Sequence, residues 1–373
     1  MSLAITQEQQ DLTSAVRRYL ANRSPLTRVR EVMDHDVPHD PEIWRGLADL
    51  GVHGLAIPTE YGGSGVDAST LSHVMETIGR ALLPGPWLAT LGLAVPLLLA
   101  SEDANAMSRY LPAIAEGQSV ATVGWLTPGC GWEDIGSAVT AREVDGRWRL
   151  NGKVALVLDA PAADVILVVA SSGNEISVFA VDAYTVGVST QHVPALDCTR
   201  GLGDVTLTDT EASLVGKVGG GAELLERARE QAYVLLAAEM VGGAQACLDS
   251  AVGYALQREQ FGRSIASFQA IKHKCAEIQV DIEGARSCAR YAAWACGNSP
   301  AEVPYVAALA KASAADAFFH AAAENIQIHG GIGFTWEHDA HLYFKRAKAD
   351  QLLFGDTSAM RLKLADQLFG PTG

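Results

Sequence analysis

From Glu223 to His329 the chain is written in long helix-forming segments, and their length restricts the folds open to it. Glu223–Gln257 reads as one helix of roughly 50 Å at 1.5 Å per residue. A second is expected over about Phe268–Trp294 and a third over about Pro304–His329, where Gly330 and Gly331 supply the glycines that end helices. Alanine-rich helices of this length bury their faces against one another, so a helical bundle is expected. The Gly242-Gly243 pair costs helix propensity. Small residues at that point predict the close approach of another helix or a ligand.

Two other kinds of text precede this bundle. The first third is helical. Thr6 is placed as an N-cap with Gln9 in the capping-box position, followed by an apolar stripe at Leu12, Val16, Tyr19 and Leu20. Further helices are expected near Glu42–Leu50, Ser69–Leu83, Pro86–Leu99 and Asp103–Glu116, interrupted by the turn-rich Pro58–Gly65. From about Ser119 the pattern becomes β. Asp145-Gly146 between Ala138–Val144 and Arg147–Leu150 signals a hairpin, and Val165–Ala170, Ile176–Ala180 and Asp204–Leu207 read as short strands. The domains expected are therefore 1–118 helical, 119–222 β and 223–373 helical. Few folds use that order.

The formal net charge of −15 argues against nucleic acid and anionic membrane surfaces as partners, while leaving room for a small anionic ligand on a local basic patch. Six cysteines without a CxxC pair fit a reducing cytoplasm and no disulfides. Met1-Ser2-Leu3-Ala4-Ile5-Thr6 lacks the pattern of a secretory leader, and Leu91–Leu99, broken by Pro96, is too short to span a bilayer. A cytoplasmic protein with no membrane partner is expected. His329, His338 and His341 lack metal-ligand spacing, so no metal is expected.

Three motifs carry a resemblance. Leu50-Gly51-Val52-His53-Gly54-Leu55-Ala56-Ile57-Pro58-Thr59-Glu60-Tyr61-Gly62-Gly63 resembles the N-terminal signature of the acyl-CoA dehydrogenase family. Arg258-Glu259-Gln260-Phe261-Gly262 with Phe268-Gln269 is similar to that family's Arg-x-x-Phe-Gly…Gln motif. Gln327-Ile328-His329-Gly330-Gly331-Ile332-Gly333 is similar to its Gln-x-x-Gly-Gly-x-Gly motif. The resemblance implies an acyl-CoA dehydrogenase-like fold with an N-terminal α-helical domain, a middle β-barrel or sandwich domain and a C-terminal four-helix bundle. It also implies FAD shared across a subunit interface, and α,β-dehydrogenation of an acyl-CoA thioester. In that reaction a carboxylate removes the α-proton while the β-hydrogen leaves as hydride.

By the same resemblance, Arg258, Phe261, Gln269, Gln327, His329, Gly330 and Gly331 are the residues that one subunit reaches across to its neighbour's FAD. Arg258 offers a planar fork for a pyrophosphate, and the glycines let backbone N–H groups approach phosphate oxygens. Read without the resemblance, the arginine is a solvated ion-pair partner and the glycines are a helix cap.

The other half of the family's site is altered. Phe354-Gly355-Asp356-Thr357-Ser358 stands where the family writes aromatic-Glu-Gly-Thr-Ser, so Gly355 replaces the catalytic glutamate. Asp356 is a weak substitute whose competing role is to cap the following helix. The family's alternate base position falls near Ala232, again not an acid. Leu126–Glu133 lacks the family's Thr-Glu-Pro-x-x-Gly-Ser pattern. Leu156 and Leu158 stand where its flavin-facing Trp and Thr would be. Glu239 is expected as a paired acid inside the bundle, and Trp125, Trp132 and Trp148 as β-domain packing.

The pattern resembles the β subunit of α2β2 acyl-CoA dehydrogenases that shorten sterol side chains. It implies a second acyl-CoA dehydrogenase subunit carrying the catalytic Glu, a steroid side-chain CoA thioester as substrate, and an electron-transfer acceptor. This chain would be inactive alone. Two alternatives stay open: a self-sufficient homotetrameric dehydrogenase or oxidase using Asp356, and a non-catalytic scaffold without flavin.

Overall fold

The computed structural model describes residues 5–34, 39–135 and 138–370; Met1–Ala4, part of the stretch read above for a leader, lie outside the described residues. The chain divides into two compact units, Met1–Arg28 with Ala68–Leu83 and Tyr233–Gly373, and Val29–Asp67 with Pro84–Ala232.

The first unit is helical. Its entry helix α1 (Gln7–Arg23) starts with the expected capping box. Thr6 Oγ1 accepts from Gln9 N at 3.2 Å, and Gln9 Oε1 accepts from Thr6 N at 3.0 Å, satisfying two amides that the first turn leaves without partners. Helix α4 (Ala68–Arg80) follows. The remainder is α7 (Gly221–Gln257), from Tyr233 onward, with α8 (Gln269–Asn298), α9 (Val303–His329), α10 (Ala340–Leu352) and α11 (Thr357–Phe369).

Helices α7 to α10 make the expected four-helix bundle, with the middle of α7 buried from Ala232 to Ala244. A helix apolar on all sides must be enclosed. Gly242 and Gly243 show how it is enclosed. A Cβ on Gly242 would stand 1.8 Å from the Glu76 carbonyl oxygen of α4, and one on Gly243 would stand 2.4 Å from the Phe318 ring of α9. Gly79 returns the contact: its Cβ would meet the Glu239 carbonyl at 1.9 Å. The glycines are there because two backbones touch. Glu239 is also the paired acid expected, in an ion pair with Arg346 in which both side chains are almost fully buried. Removing one partner of such a pair costs about 3–5 kcal/mol.

The second unit contains most of α2 (Leu26–Met33), α3 (Pro41–Asp49), α5 (Val95–Ala100) and α6 (Ala104–Ala115). Asp40 caps α3 by accepting from Glu42 N at 3.0 Å and Ile43 N at 3.3 Å. Ahead of α5, Leu88–Ala94 is wound wide, with Val95 N–H reaching Thr90 O, and the apolar Leu91–Leu99 stretch is helix, buried except at Pro96 and Leu99.

The strands are β1 (Ala121–Gly124), β2 (Val139–Val144), β3 (Arg147–Leu158), β4 (Val165–Ser172), β5 (Glu175–Asp182), β6 (Val188–His192) and β7 (Leu202–Val215). The sheet closes on itself as a barrel. β4 pairs β5, β5 pairs β7, β7 pairs β3, β3 pairs β2, and β2 returns to β4 at Thr140 opposite Ser171. β1 lies parallel to β4, and β6 pairs β7. Asp145-Gly146 makes the expected hairpin, with φ of 52° and 75° at its two turn residues. The strand expected at Asp204–Leu207 runs on to Val215, past Asp209 at φ 49°. Its exposed Thr206, Thr208, Asp209 and Glu211 hide the strand from a hydrophobicity reading.

Candidate functional site

After α7 the chain makes a two-residue hairpin, β8 (Glu259–Gln260) with β9 (Arg263–Ser264). Its turn residues Phe261 and Gly262 have φ of 55° and 73°, as a type I′ turn requires. Asn or Gly normally takes the first place, because positive φ strains a side chain. Here Phe261 takes it, and its ring is 92% exposed. Arg258, also exposed, is set by its own backbone: its N–H bonds Tyr254 O at 2.8 Å and its carbonyl accepts from Ile265 N at 2.8 Å. Phe268 follows, with the Arg263 guanidinium 4.2 Å over its ring, and exposed Gln269 opens α8.

The second motif ends α9. Gln327 is exposed, and Gly330 (φ 66°) and Gly331 stand in open space, with no neighbouring atom within 4 Å of where a Cβ would be. His329 is 5% exposed. Its Nδ1 lies 2.8 Å from Asn325 O, and its ring packs 4.4 Å from Tyr254 and 4.2 Å from His338, measured between centroids. Burial pushes the His329 imidazole below its ordinary value, which favours the neutral ring.

The Tyr254–His329 contact, with Ile328 packed on Ala251 and Ala255 beneath it, joins the two motifs. Arg258, Phe261, Gln269, Gln327, His329, Gly330 and Gly331 thus gather at one end of the helical unit. Phe334 and Trp336, just beyond the glycines, are 79% and 61% exposed. Several large rings exposed near polar groups make this end a candidate contact surface.

Gly355 lies elsewhere. It sits in the α10–α11 connection at φ 106°, after buried Phe354 at φ 60°. Lys311, fully buried on α9, donates from Nζ to the Gly355 carbonyl and to Gln351 O at 2.9 Å. Lys311 and His329 are eighteen residues apart on α9, which is about 27 Å along the helix. The end that gathers the two motifs and the Gly355 position are therefore far apart within one chain.

Asp356 caps α11: its Oδ1 accepts from Ala359 N at 2.8 Å, while the side chain remains exposed. The first turn of α11 also holds Thr357, whose hydroxyl donates to Asp316 at 3.0 Å.

In the other unit, Leu158 is a buried strand residue opposite Leu202. Leu156 occupies a bulge at φ 49°, its N–H donating to Asp204 at 3.1 Å. Ala232 is fully buried. One turn before it, buried Arg229 pairs with Glu133 at 2.8 Å and with Glu226 at 3.3 Å. It thereby ties down the Leu126–Glu133 loop. Trp125 and Trp132 pack on each other there, and Trp148 packs on Phe179.

Sequence reasoning missed Lys311 and Arg229. Lys311 had a signal, a lone charge within the apolar run Val306–Ala315. Arg229 had none, because it lies among other charged residues of the first turns of α7.

Profiles of two families match the chain: "Acyl-CoA dehydrogenase, N-terminal domain" over residues 6–118 and "Acyl-CoA dehydrogenase, C-terminal domain" over residues 219–369. The chain belongs to the acyl-CoA dehydrogenase family. Acyl-CoA dehydrogenase IpdE2 of Mycobacterium tuberculosis (strain H37Rv) is 36% identical over 358 residues, covering 95% of this chain and 96% of the relative. Among solved structures, a variant of the Tcur3481–Tcur3483 steroid ACAD superposes with a TM-score of 0.88 at 28% identity, covering 98% of both chains. The ChsE4–ChsE5 complex from Mycobacterium tuberculosis gives 0.90 at 26% identity, covering 100% of both. Family membership makes the chain part of an oxidoreductase lineage and accounts for the element order: N-terminal helices, barrel, then bundle. No helix among the described residues is long and apolar enough to cross a membrane.

Proposed function

We propose that this chain is the supporting subunit of a heteromeric, flavin-dependent acyl-CoA dehydrogenase. It lends one end of its bundle to a partner's FAD and supplies no base. One observation carries the reading. The residues suited to a shared cofactor, all exposed except the buried His329 beneath them, are gathered about 27 Å along α9 from the position where this chain should hold its carboxylate, and that position is glycine.

The residues present fit an FAD pyrophosphate. Gly330 and Gly331 leave open space for phosphate oxygens to approach the backbone. Arg258 and Gln327 are free of burial at the same end, and Arg258 would neutralise phosphate charge. Phe261, held outward by its turn, would cover apolar surface of the partner. His329 lies beneath the glycine turn and fixes its entry through Asn325 and Tyr254. When bound, the flavin supplies hydride acceptance from the β-carbon of the acyl thioester. The α-proton requires a carboxylate that the partner subunit provides.

The heteromeric reading gains support from relatives whose names describe two-chain assemblies, Tcur3481–Tcur3483 and ChsE4–ChsE5. The first is described as a steroid ACAD, which supports a steroid-derived acyl-CoA as substrate. The electron acceptor would serve the partner's flavin, and the complex would work in the cytoplasm. A homotetramer using Asp356 would need that carboxylate for chemistry while it caps α11.

The test is co-expression with a second acyl-CoA dehydrogenase chain that carries the glutamate. Arg258→Ala is expected to strip FAD from the purified complex while leaving assembly intact. Unchanged flavin content in that variant would favour a scaffold and sink the shared-site reading.

A further inference from the structure

A cavity of about 590 Å³ opens in the helical unit between α1, α4, α7 and α8. Four arginines line it, Arg17, Arg80, Arg286 and Arg290, against two carboxylates, Glu76 and Glu283. A local excess of positive charge is notable in a chain of net charge −15.

The four arginines are not equally engaged. Arg80 is paired with Asp249 at 2.6 Å. Arg286 is engaged at all three nitrogens: Nε meets Glu76 at 3.0 Å, Nη2 donates to Gln245 at 2.9 Å, and Nη1 pairs with Glu283. Arg290 reaches only Glu76, at 4.0 Å, and its Nε is buried with no hydrogen-bond partner. Arg17 makes no ion pair among the described residues. A buried guanidinium N–H without an acceptor costs on the order of 1–3 kcal/mol, so Arg290, with one long ion pair, and Arg17, with none, are the under-engaged cations of this lining.

We propose that this cavity binds a small organic anion through a phosphate or carboxylate group, held by Arg290 and Arg17. Glu76, bridging Arg286 and toward Arg290, holds the arginine pair in place. The volume lies in the range of small-molecule pockets, roughly 300–1,000 Å³. The guanidinium fork suits either oxyanion. Arg290 and Gln269 are twenty-one residues apart on α8, about 32 Å along the helix, so this ligand does not share contacts with the motif end.

The test is calorimetric titration of the full chain at constant ionic strength, in an Arg258→Ala background so that the motif end takes no pyrophosphate. Sodium pyrophosphate and sodium citrate are the two probes, separating a phosphate from a carboxylate ligand. One saturable site per chain is expected for at least one probe, weakened about tenfold or more by Arg290→Met and by Arg17→Met. Arg142→Met, whose partner is the exposed Asp209, is the control and should bind as before. If Arg290→Met does not fold, exposed Arg17→Met decides alone. No saturable heat with either probe, or equal affinity in the arginine variants and the control, overturns the proposal.

Discussion

Lys311 donates from its ammonium to the backbone carbonyl of Gly355, the residue proposed above to replace a catalytic glutamate. The same ammonium bonds Gln351 O at 2.9 Å. The connection that would present a base is thus held from beneath by a buried cation. Burial pushes Lys311 down to about 8, against the pull of Asp350, Asp356 and Asp316.

Lys311→Met keeps the length of the side chain and removes both donors. It is expected to cost about 2–3 kcal/mol by urea unfolding, because two partly buried carbonyls lose a charged donor. The variant should also change the pH profile. In the wild type the folded state releases the Lys311 proton above about 8, while the unfolded chain keeps it to 10.5. Stability therefore rises with pH across that window, by up to about 1.4 kcal/mol per unit. Below pH 8 both states are charged and the contribution is flat. A wild-type profile parallel to that of Lys311→Met would show that the lysine does not titrate there.

His53 makes the opposite window visible. Burial among Trp44 and Trp87, whose rings lie 4.1 and 5.4 Å away, pushes it down to about 3. The unfolded chain binds that proton from 6.5 downward. Above 6.5 the imidazole is neutral in both states and costs nothing; as pH falls toward 3, stability is lost by up to about 1.4 kcal/mol per unit. His53→Leu should show a shallower acid limb in denaturant titrations between pH 6.5 and 4. Identical limbs would mean the ring is reached by water.

Two glycines of α7 should respond in opposite directions. Gly242→Ala places a methyl 1.8 Å from the Glu76 carbonyl, so α4 must move, at an expected loss of more than about 3 kcal/mol. Gly253→Ala meets nothing within 4 Å and should gain about 0.5–1 kcal/mol from helix propensity. Thermal unfolding of the pair checks both signs, and a benign Gly242→Ala would contradict the close approach of α4 and α7.

Asp356→Ala separates a cap from a base. Loss of the bond to Ala359 N should cost about 1 kcal/mol. Acyl-CoA turnover by the co-expressed complex should stay unchanged. Turnover that collapses while stability holds would make Asp356 the base and favour the self-sufficient enzyme.

Much of this architecture is legible in the residues. The long helices are visible because α7, α8 and α9 are rich in strong helix formers and several of their ends carry glycine or proline, as at Gly219–Gly221, Pro300 and Gly330-Gly331, and the β2–β3 hairpin because Asp145-Gly146 permits positive φ at both positions. Gly242-Gly243 foretells the close approach, though not which helix makes it. β1 escapes notice because its four buried residues, paired in parallel with β4, show no alternation. The β8–β9 hairpin escapes because Phe261 takes a conformation that propensity disfavours. At the candidate site the chemistry-bearing residue types are readable singly. Their meeting through Tyr254 and His329 is a tertiary contact between residues 75 positions apart, and no local pattern encodes it.

The central claim is a shared cofactor site to which this chain gives contacts but no base. Flavin released per chain, counted for this protein purified alone and again in complex with its glutamate-bearing partner, tests it most directly. The account predicts no bound flavin and no acyl-CoA oxidation alone, and one FAD for every two chains in an active complex. Stoichiometric flavin and turnover in the chain by itself would contradict it.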